Sequence, residues 1–121
     1  MNRMIEDLAE QEEIKRAILQ RNIPDVDIIE KMAKTNSFEY NLEKCVEELL
    51  ELGEVLMKRK LKAGSFKAPT NQSIIEEIGD VQIRIDVLKK IFGQFEVEKR
   101  VENKLSTYKG YFSEGKYIGR I

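Results

Sequence analysis

Two segments decide the fold: residues 38–61, FEYNLEKCVEELLELGEVLMKRKL, and residues 73–92, SIIEEIGDVQIRIDVLKKIF. In each segment apolar residues recur every three to four positions, which is the spacing that predicts an amphipathic α-helix. The residues between them include Gly64 and Pro69, residue types that end helices and form loops. A loop of this length brings the second helix back antiparallel to the first, so we predict a helical hairpin.

The predicted contact between the two helices runs along one apolar stripe on each. The stripes comprise Leu42, Cys45, Val46, Leu49, Leu52, Gly53 and Leu56 on the first helix and Ile74, Ile78, Val81, Ile85, Leu88 and Phe92 on the second. Ser73 is followed by Glu76 three residues later, which resembles a capping box and predicts that the second helix begins there. Gly93 is predicted to end it.

Acidic residues with the same layout flank both stripes. They form the segments Glu47-Glu48-Leu49-Leu50-Glu51 and Glu76-Glu77-Ile78-Gly79-Asp80. At about 100° per residue, the second and last residues of each segment stand about 100° and 160° to the same side of its central Leu49 or Ile78. If the stripes pack antiparallel, they bring four carboxylates to one edge of the contact: Glu48, Glu51, Glu77 and Asp80.

A cluster of this kind favours a bound cation. Two unit charges 4 Å apart repel by about 4 kcal/mol at an effective dielectric constant near 20. Ligands that are all oxygens favour Mg²⁺ or Mn²⁺ over zinc. Solvated glutamates are the simpler explanation of either acidic segment alone, since Glu is a good helix former. The repetition of the pattern on both helices favours a shared metal site.

The pattern Glu-Glu-x-x-Glu followed by Glu-x-x-Asp resembles the signature of the MazG-type all-α nucleoside triphosphate pyrophosphohydrolases. This superfamily also includes dimeric dUTPases and phosphoribosyl-ATP pyrophosphohydrolases. The resemblance covers about residues 42–92. It implies Mg²⁺-dependent hydrolysis between the α and β phosphates, which gives a nucleoside monophosphate and pyrophosphate. Carried over by position, it implies that Glu48, Glu51, Glu77 and Asp80 are the metal ligands, with Mn²⁺ as a possible substitute, and that Glu47 is an accessory carboxylate.

Several roles stay open at this stage. Either Glu47 or Glu51 can serve as the base that orients the attacking water. For the phosphate charges we select three basic residues of a predicted fourth helix, Lys99, Arg100 and Lys104. The preferred nucleotide, including dUTP or phosphoribosyl-ATP, is not assigned. The alternative function is a non-catalytic helical oligomerisation module or nucleotide-binding regulatory module of the same fold.

Composition excludes several other functions. A chain of 121 residues with a net charge of −1 predicts one domain and argues against a nucleic-acid or membrane partner. It has no histidine, which excludes His-based triads and His-ligated zinc. The single cysteine, Cys45, excludes an internal disulfide and is predicted to be buried. Because no signal peptide or membrane span is evident, we expect a cytoplasmic protein.

The flanking regions complete the predicted architecture. Residues 1–36 are predicted to form N-terminal helices, with Pro24 opening the second, and residues 37–93 the metal-binding hairpin. Residues 94–121 are predicted to form a helix from about Glu96, followed by an aromatic tail that loses the helical period from Tyr108 and docks on its own domain or a neighbouring subunit.

The predicted fold class is therefore all-α, with the hairpin as the core of a four-helix bundle that homo-oligomerisation completes, as a homodimer or homotetramer. Four apolar residues lie off the main stripes and are candidates for the contact between subunits: Val55, Met57, Ile83 and Val87.

Overall fold

The computed structural model describes residues 2–22 and 24–115, with side chains described for residues 6–17 and 24–115. Throughout these ranges the chain forms helices and no strand, which confirms the predicted all-α class. The five helices are α1 (Asn2–Asn22), α2 (Asp25–Thr35), α3 (Phe38–Leu61), α4 (Asn71–Phe92) and α5 (Gln94–Ser113). Among these helices, none has the length and apolar content needed to cross a membrane.

Two hydroxyl side chains fix where the hairpin helices begin. Ser37 Oγ accepts a hydrogen bond from the Tyr40 backbone N–H at 3.1 Å and caps α3. Thr70 Oγ1 accepts one from the Ser73 backbone N–H at 3.1 Å and caps α4. The predicted capping box at Ser73 is therefore wrong, because Thr70 supplies the cap and α4 begins at Asn71, two residues before Ser73.

The hairpin is the centre of the fold. Helices α3 and α4 share the most extensive contact, α2 packs on α4, and α5 contacts α4 sparsely. Arg59 ties down the loop at the closed end of the hairpin, since its Nη1 donates hydrogen bonds to the Pro69 carbonyl at 3.0 Å and to Asn71 Oδ1 at 2.9 Å. This contact fixes where α4 starts relative to α3.

The burial of α3 and α4 follows the predicted stripes only in part. Leu49 is 46% exposed and Ile78 is 50% exposed, although each was predicted to be central. The stripe residues Leu42, Cys45 and Leu52 on α3 and Ile74, Val81, Ile85 and Leu88 on α4 are buried or half-buried. Glu48, Val55, Glu77 and Arg84, which lie outside the stripes, are half-buried as well. Apolar residues occupy more than one face of α3, so their spacing alone does not define which face meets α4.

The open end of the hairpin contains the most buried side chains. Asn41 and Val87 are each 1% exposed, and Asn41 Nδ2 donates a hydrogen bond to the Met32 carbonyl at 3.5 Å, which links α3 to α2. Val87 was predicted to contact another subunit, and that prediction is wrong because the hairpin and its neighbours already cover it. Met57 and Ile83, by contrast, are 52% and 44% exposed.

Helix α5 is longer than predicted. It runs without interruption through Tyr108, Gly110 and Phe112, so the predicted loss of helical structure at Tyr108 is wrong. Glycine in a helix interior is unfavourable by about 1 kcal/mol relative to alanine, which a helix of this length tolerates. Gly115, with a φ of 74°, follows the end of the helix. Tyr117 and Gly119 of the predicted tail lie outside the described residues.

Candidate metal centre

Three glutamates from the two acidic segments converge in the structure. One carboxylate oxygen from each of Glu48, Glu51 and Glu77 lies within 4.8 Å of the other two. Glu48 and Glu51 are neighbours on one face of α3 because they are three residues apart, and Glu77 approaches from α4. We call these three residues the glutamate cluster.

The glutamate cluster lies within the helix contact, where carboxylates are costly unless they find partners. Glu48 and Glu77 are half-buried, and the Oε2 atom of each is enclosed without a hydrogen-bond partner. Burial raises the pKa of Glu48, and the charges of Glu51 and Asp80 raise it further. Burial also raises the pKa of Glu77, again with contributions from Glu51 and Asp80. Protonation of a carboxylate or a bound cation would each relieve this crowding of negative charge.

Asp80 lies beside the cluster. It follows Glu77 by three residues on α4, and its charge raises the pKa of both Glu48 and Glu77. The oxygens of the three glutamates form the close group, and Asp80 is not part of it. The structure thus brings three of the four predicted ligands together and places the fourth within electrostatic range.

Glu47 has a different environment from the cluster. It is exposed, and its Oε2 accepts a hydrogen bond from Lys44 Nζ at 3.1 Å. That hydrogen bond raises the pKa of Lys44. Of the two carboxylates considered for orienting water, Glu51 lies in the cluster and Glu47 pairs with a lysine beside it.

The three predicted phosphate ligands lie on the exposed surface of α5. Lys99 Nζ is 6.0 Å from the centre of the Phe95 ring, and Lys104 Nζ is 5.7 Å from that of Tyr108. Neither these lysines nor Arg100 is among the charges that shift the pKa of Glu48 or Glu77. Within one chain they do not join the cluster, and their contact with phosphate stays a prediction.

Sequence analysis missed Arg84. This residue is half-buried on α4, one helical turn after Asp80, and its Nη1 atom is enclosed without a hydrogen-bond partner. Its charge acts on Cys45, one turn before Glu48 on α3. The signal that would have identified Arg84 is its position between Ile83 and Ile85, in an apolar stretch of the sequence.

Cys45 is a core residue, as predicted. Its side chain is 2% exposed, and burial raises the pKa of its thiol. A buried thiol with a raised pKa is less reactive than an exposed one. The remaining polar side chains of this region are carboxylates and an arginine.

Comparisons with protein-family models, with curated proteins and with solved structures find no match to this chain. The case for a function accordingly depends on the residues of the cluster and on their geometry.

Proposed function

We propose that this chain is a Mg²⁺-dependent nucleoside triphosphate pyrophosphohydrolase of the MazG type, acting in the cytoplasm, with Mn²⁺ able to replace Mg²⁺. The observation that supports the proposal most directly is the approach of Glu48, Glu51 and Glu77 within 4.8 Å of one another. The two acidic segments that resemble the MazG signature supply these side chains from different helices. Glutamates that were only solvated residues on exposed helix surfaces would not need to approach one another.

The donor set fits a hard divalent cation. Every candidate ligand is a carboxylate oxygen, the type that Mg²⁺ and Mn²⁺ prefer. The enclosed Oε2 atoms of Glu48 and Glu77 have no hydrogen-bond donor to satisfy them. Glu48, Glu51 and Glu77 would hold the ion, with Asp80 adding negative charge. When bound, such an ion polarises phosphoryl oxygens and lowers the pKa of a coordinated water.

Glu51 is the better placed of the two candidate bases. As the water oxygen bonds to the α phosphorus, the bond from that phosphorus to the bridging oxygen of the β phosphate breaks, and pyrophosphate leaves. Glu51 accepts the proton that the water gives up. Glu47 is less suited to this role because its carboxylate already accepts a hydrogen bond from Lys44.

Self-association is part of the proposal, as a homodimer or homotetramer. Large apolar side chains are exposed on several of the described helices, among them Leu50 at 70%, Ile75 at 59% and Leu105 at 54%. Apolar surface of this kind is typical of contacts between subunits. A second copy would cover apolar side chains and would also bring a second α5, with its Lys99, Arg100 and Lys104, into the assembly.

Pyrophosphate release measures the proposed activity. The purified chain is incubated with Mg²⁺ and a panel of canonical and modified NTPs and dNTPs, together with dUTP and phosphoribosyl-ATP. We expect Mg²⁺-dependent pyrophosphate and monophosphate from at least one of them. Glu51→Gln should abolish turnover, whereas the matched change Glu47→Gln should retain most of it. Absence of product from every nucleotide would contradict the proposal.

The exposed apolar surface also favours a second candidate function, a helical oligomerisation module that binds nucleotide without cleaving it. Calorimetry with Mg²⁺ and a non-hydrolysable triphosphate analogue separates the two candidates. Binding of the analogue together with no turnover of any triphosphate would support the module. Turnover of any triphosphate would exclude it.

A further inference from the structure

Arg84 is a cation that the contact between α3 and α4 encloses without pairing it. Its Nη1 atom is buried and has no hydrogen-bond partner, and among the described residues Arg84 forms no salt bridge. An enclosed donor on a charged group is more unfavourable than an unmet neutral donor. A structural arginine would normally be paired, so the arrangement needs an explanation.

The position of Arg84 relates it to the glutamate cluster. It lies four residues after Asp80 on α4, which places it on the same face and one turn, about 5.4 Å, further along the helix. Across the contact its charge acts on the Cys45 thiol, and Cys45 lies one turn before Glu48 on α3. On α4, Arg84 follows Glu77 of the cluster by seven residues, which is two turns along the same face, with Asp80 between them.

Arg84 does not serve as the counter-ion of the glutamates. In the part of the chain that the structure describes, Arg84 forms no ion pair with Glu48, Glu51 or Glu77. The enclosed Oε2 atoms of Glu48 and Glu77 and the enclosed Nη1 atom of Arg84 all lack a hydrogen-bond partner. The cluster and the arginine are thus unsatisfied separately, one needing positive charge and the other needing an anion.

We infer that Arg84 binds a phosphoryl group of the substrate, next to the phosphoryl group held at the glutamate cluster. The inference rests on the proposed function and assigns a residue to it. A guanidinium presents several N–H donors in one plane and matches phosphoryl oxygens in a bidentate manner. A site with a metal-binding glutamate cluster and a guanidinium further along the same helix face selects ligands with at least two linked phosphates over monophosphates.

The test is calorimetric titration of the full chain with Mn²⁺ alone, and then of the Mn²⁺-loaded chain with inorganic pyrophosphate and with orthophosphate. For Arg84→Gln we expect pyrophosphate affinity to fall by about 10- to 100-fold, the loss expected for a charge-assisted hydrogen bond. Mn²⁺ affinity should stay within about 2-fold of the wild type, because Arg84 does not hold the metal. The matched control Lys90→Gln removes an exposed cation from the same helix and should leave both affinities unchanged.

Arg84→Lys is a second variant that keeps the positive charge, in case Arg84→Gln does not fold. Circular dichroism checks the folding of both variants. It should still weaken pyrophosphate binding, since an ammonium group lacks the bidentate geometry. Unchanged pyrophosphate affinity in a folded Arg84→Gln or Arg84→Lys variant would overturn the inference. Tighter Mn²⁺ binding by Arg84→Gln would also overturn it, because it would show that Arg84 neutralises the carboxylates.

The wild-type chain separates the two claims. If it binds no Mn²⁺ and cleaves no nucleotide, the proposed function fails. If it binds Mn²⁺ and releases pyrophosphate while the Arg84 variants behave like wild type, only the role of Arg84 fails.

Discussion

The inner and outer surfaces of the central hairpin have opposite characters. The inner surface, between α3 and α4, encloses oxygen atoms of Glu48 and Glu77 and a nitrogen of Arg84 without partners. On the outer surface, Leu50 is 70% exposed and Ile75 is 59% exposed. The inner surface also buries the apolar side chains of Cys45 and Val87, so the two surfaces differ in what they leave unsatisfied, polar atoms inside and apolar side chains outside. We propose that a bound cation and a second copy of the chain complete the hairpin.

Different binding partners would complete the two surfaces. A divalent cation and an anionic ligand would satisfy the inner charges, and another apolar surface would cover the outer side chains. A single oligomer would meet both requirements if its subunits surround the metal site. The predictions below test each surface separately, beginning with the largest expected effect.

Removal of two carboxylate charges from the inner surface should have the largest effect. In the double variant Glu48→Gln, Glu77→Gln, we expect Mn²⁺ binding and pyrophosphate release to be lost. The melting temperature without metal should rise by a few degrees, because the variant no longer places like charges in a partly buried site. Calorimetry, activity assays and thermal unfolding measure the three quantities. A fall in the melting temperature would show that the carboxylates stabilise the fold.

Charges placed on the outer surface should disrupt assembly and leave the inner surface intact. Leu50 and Met57 lie seven residues apart on one face of α3 and are 70% and 52% exposed. We expect Leu50→Glu combined with Met57→Glu to lower the molar mass seen by light scattering at micromolar concentration to that of one chain. Glu54→Gln, on the same helix, is the matched control and should keep the wild-type mass. A wild-type chain that is already monomeric would contradict this prediction.

The pH dependence of stability should give a smaller effect, and this effect concerns the inner surface alone. Because the pKa values of Glu48 and Glu77 are raised in the folded state, the folded chain binds more protons than the unfolded chain above the ordinary glutamate pKa of about 4.3. Stability contributed by these protons is present at low pH and is lost as the pH rises through the raised values. Added Mn²⁺ should therefore raise the melting temperature more at pH 7 than at pH 5.

The comparison for this experiment is the Glu48→Gln, Glu77→Gln variant. Its melting temperature should respond to Mn²⁺ equally weakly at both pH values. An equal response of the wild type at pH 5 and pH 7 would show that the two glutamates do not take part in metal binding.

The smallest effect concerns the cap that sets where α4 begins and so where Glu77 meets α3. Thr70→Ala should lower the free energy of unfolding by about 1 kcal/mol, because it removes the side-chain acceptor for the Ser73 backbone N–H. Ser73→Ala should have little effect, since the Ser73 hydroxyl is not the cap. Urea unfolding measures both, and a larger loss for Ser73→Ala would restore the capping box predicted from sequence.

Much of the fold follows from local sequence signals. The residues 38–61 form one helix as predicted, with Ser37 as its cap, and Gly93 separates α4 from α5 with a φ of 132° that side chains rarely adopt. These features depend on neighbouring residues only. The continuation of α5 through Gly110 was missed because one unfavourable residue does not end a helix that is otherwise regular.

The rotation of the helices about their axes was not predictable in the same way. Both α3 and α4 have apolar residues on more than one face, so the pattern is compatible with contact through Leu49 or through Leu52. The choice between these faces depends on packing with α2 and with any further chain. That rotation places Glu48, Glu77 and Arg84 inside the contact. Glu48 and Glu77 were identified from sequence because they belong to two similar acidic segments, whereas no such pattern marks Arg84.

Gly93 has a mechanical consequence for α5. Gly93 has a φ of 132°, a conformation that L side chains rarely adopt, so the bend between α4 and α5 depends on glycine at this position. Beyond the bend, the described ion pair between α5 and α4 is Lys89 with Glu98, at 3.6 Å. The 20 residues of α5 extend about 30 Å. A rotation of about 10° at Gly93 would therefore swing the far end of that arm by about 5 Å. The backbone angles of one glycine thus set the direction in which α5 leaves the hairpin.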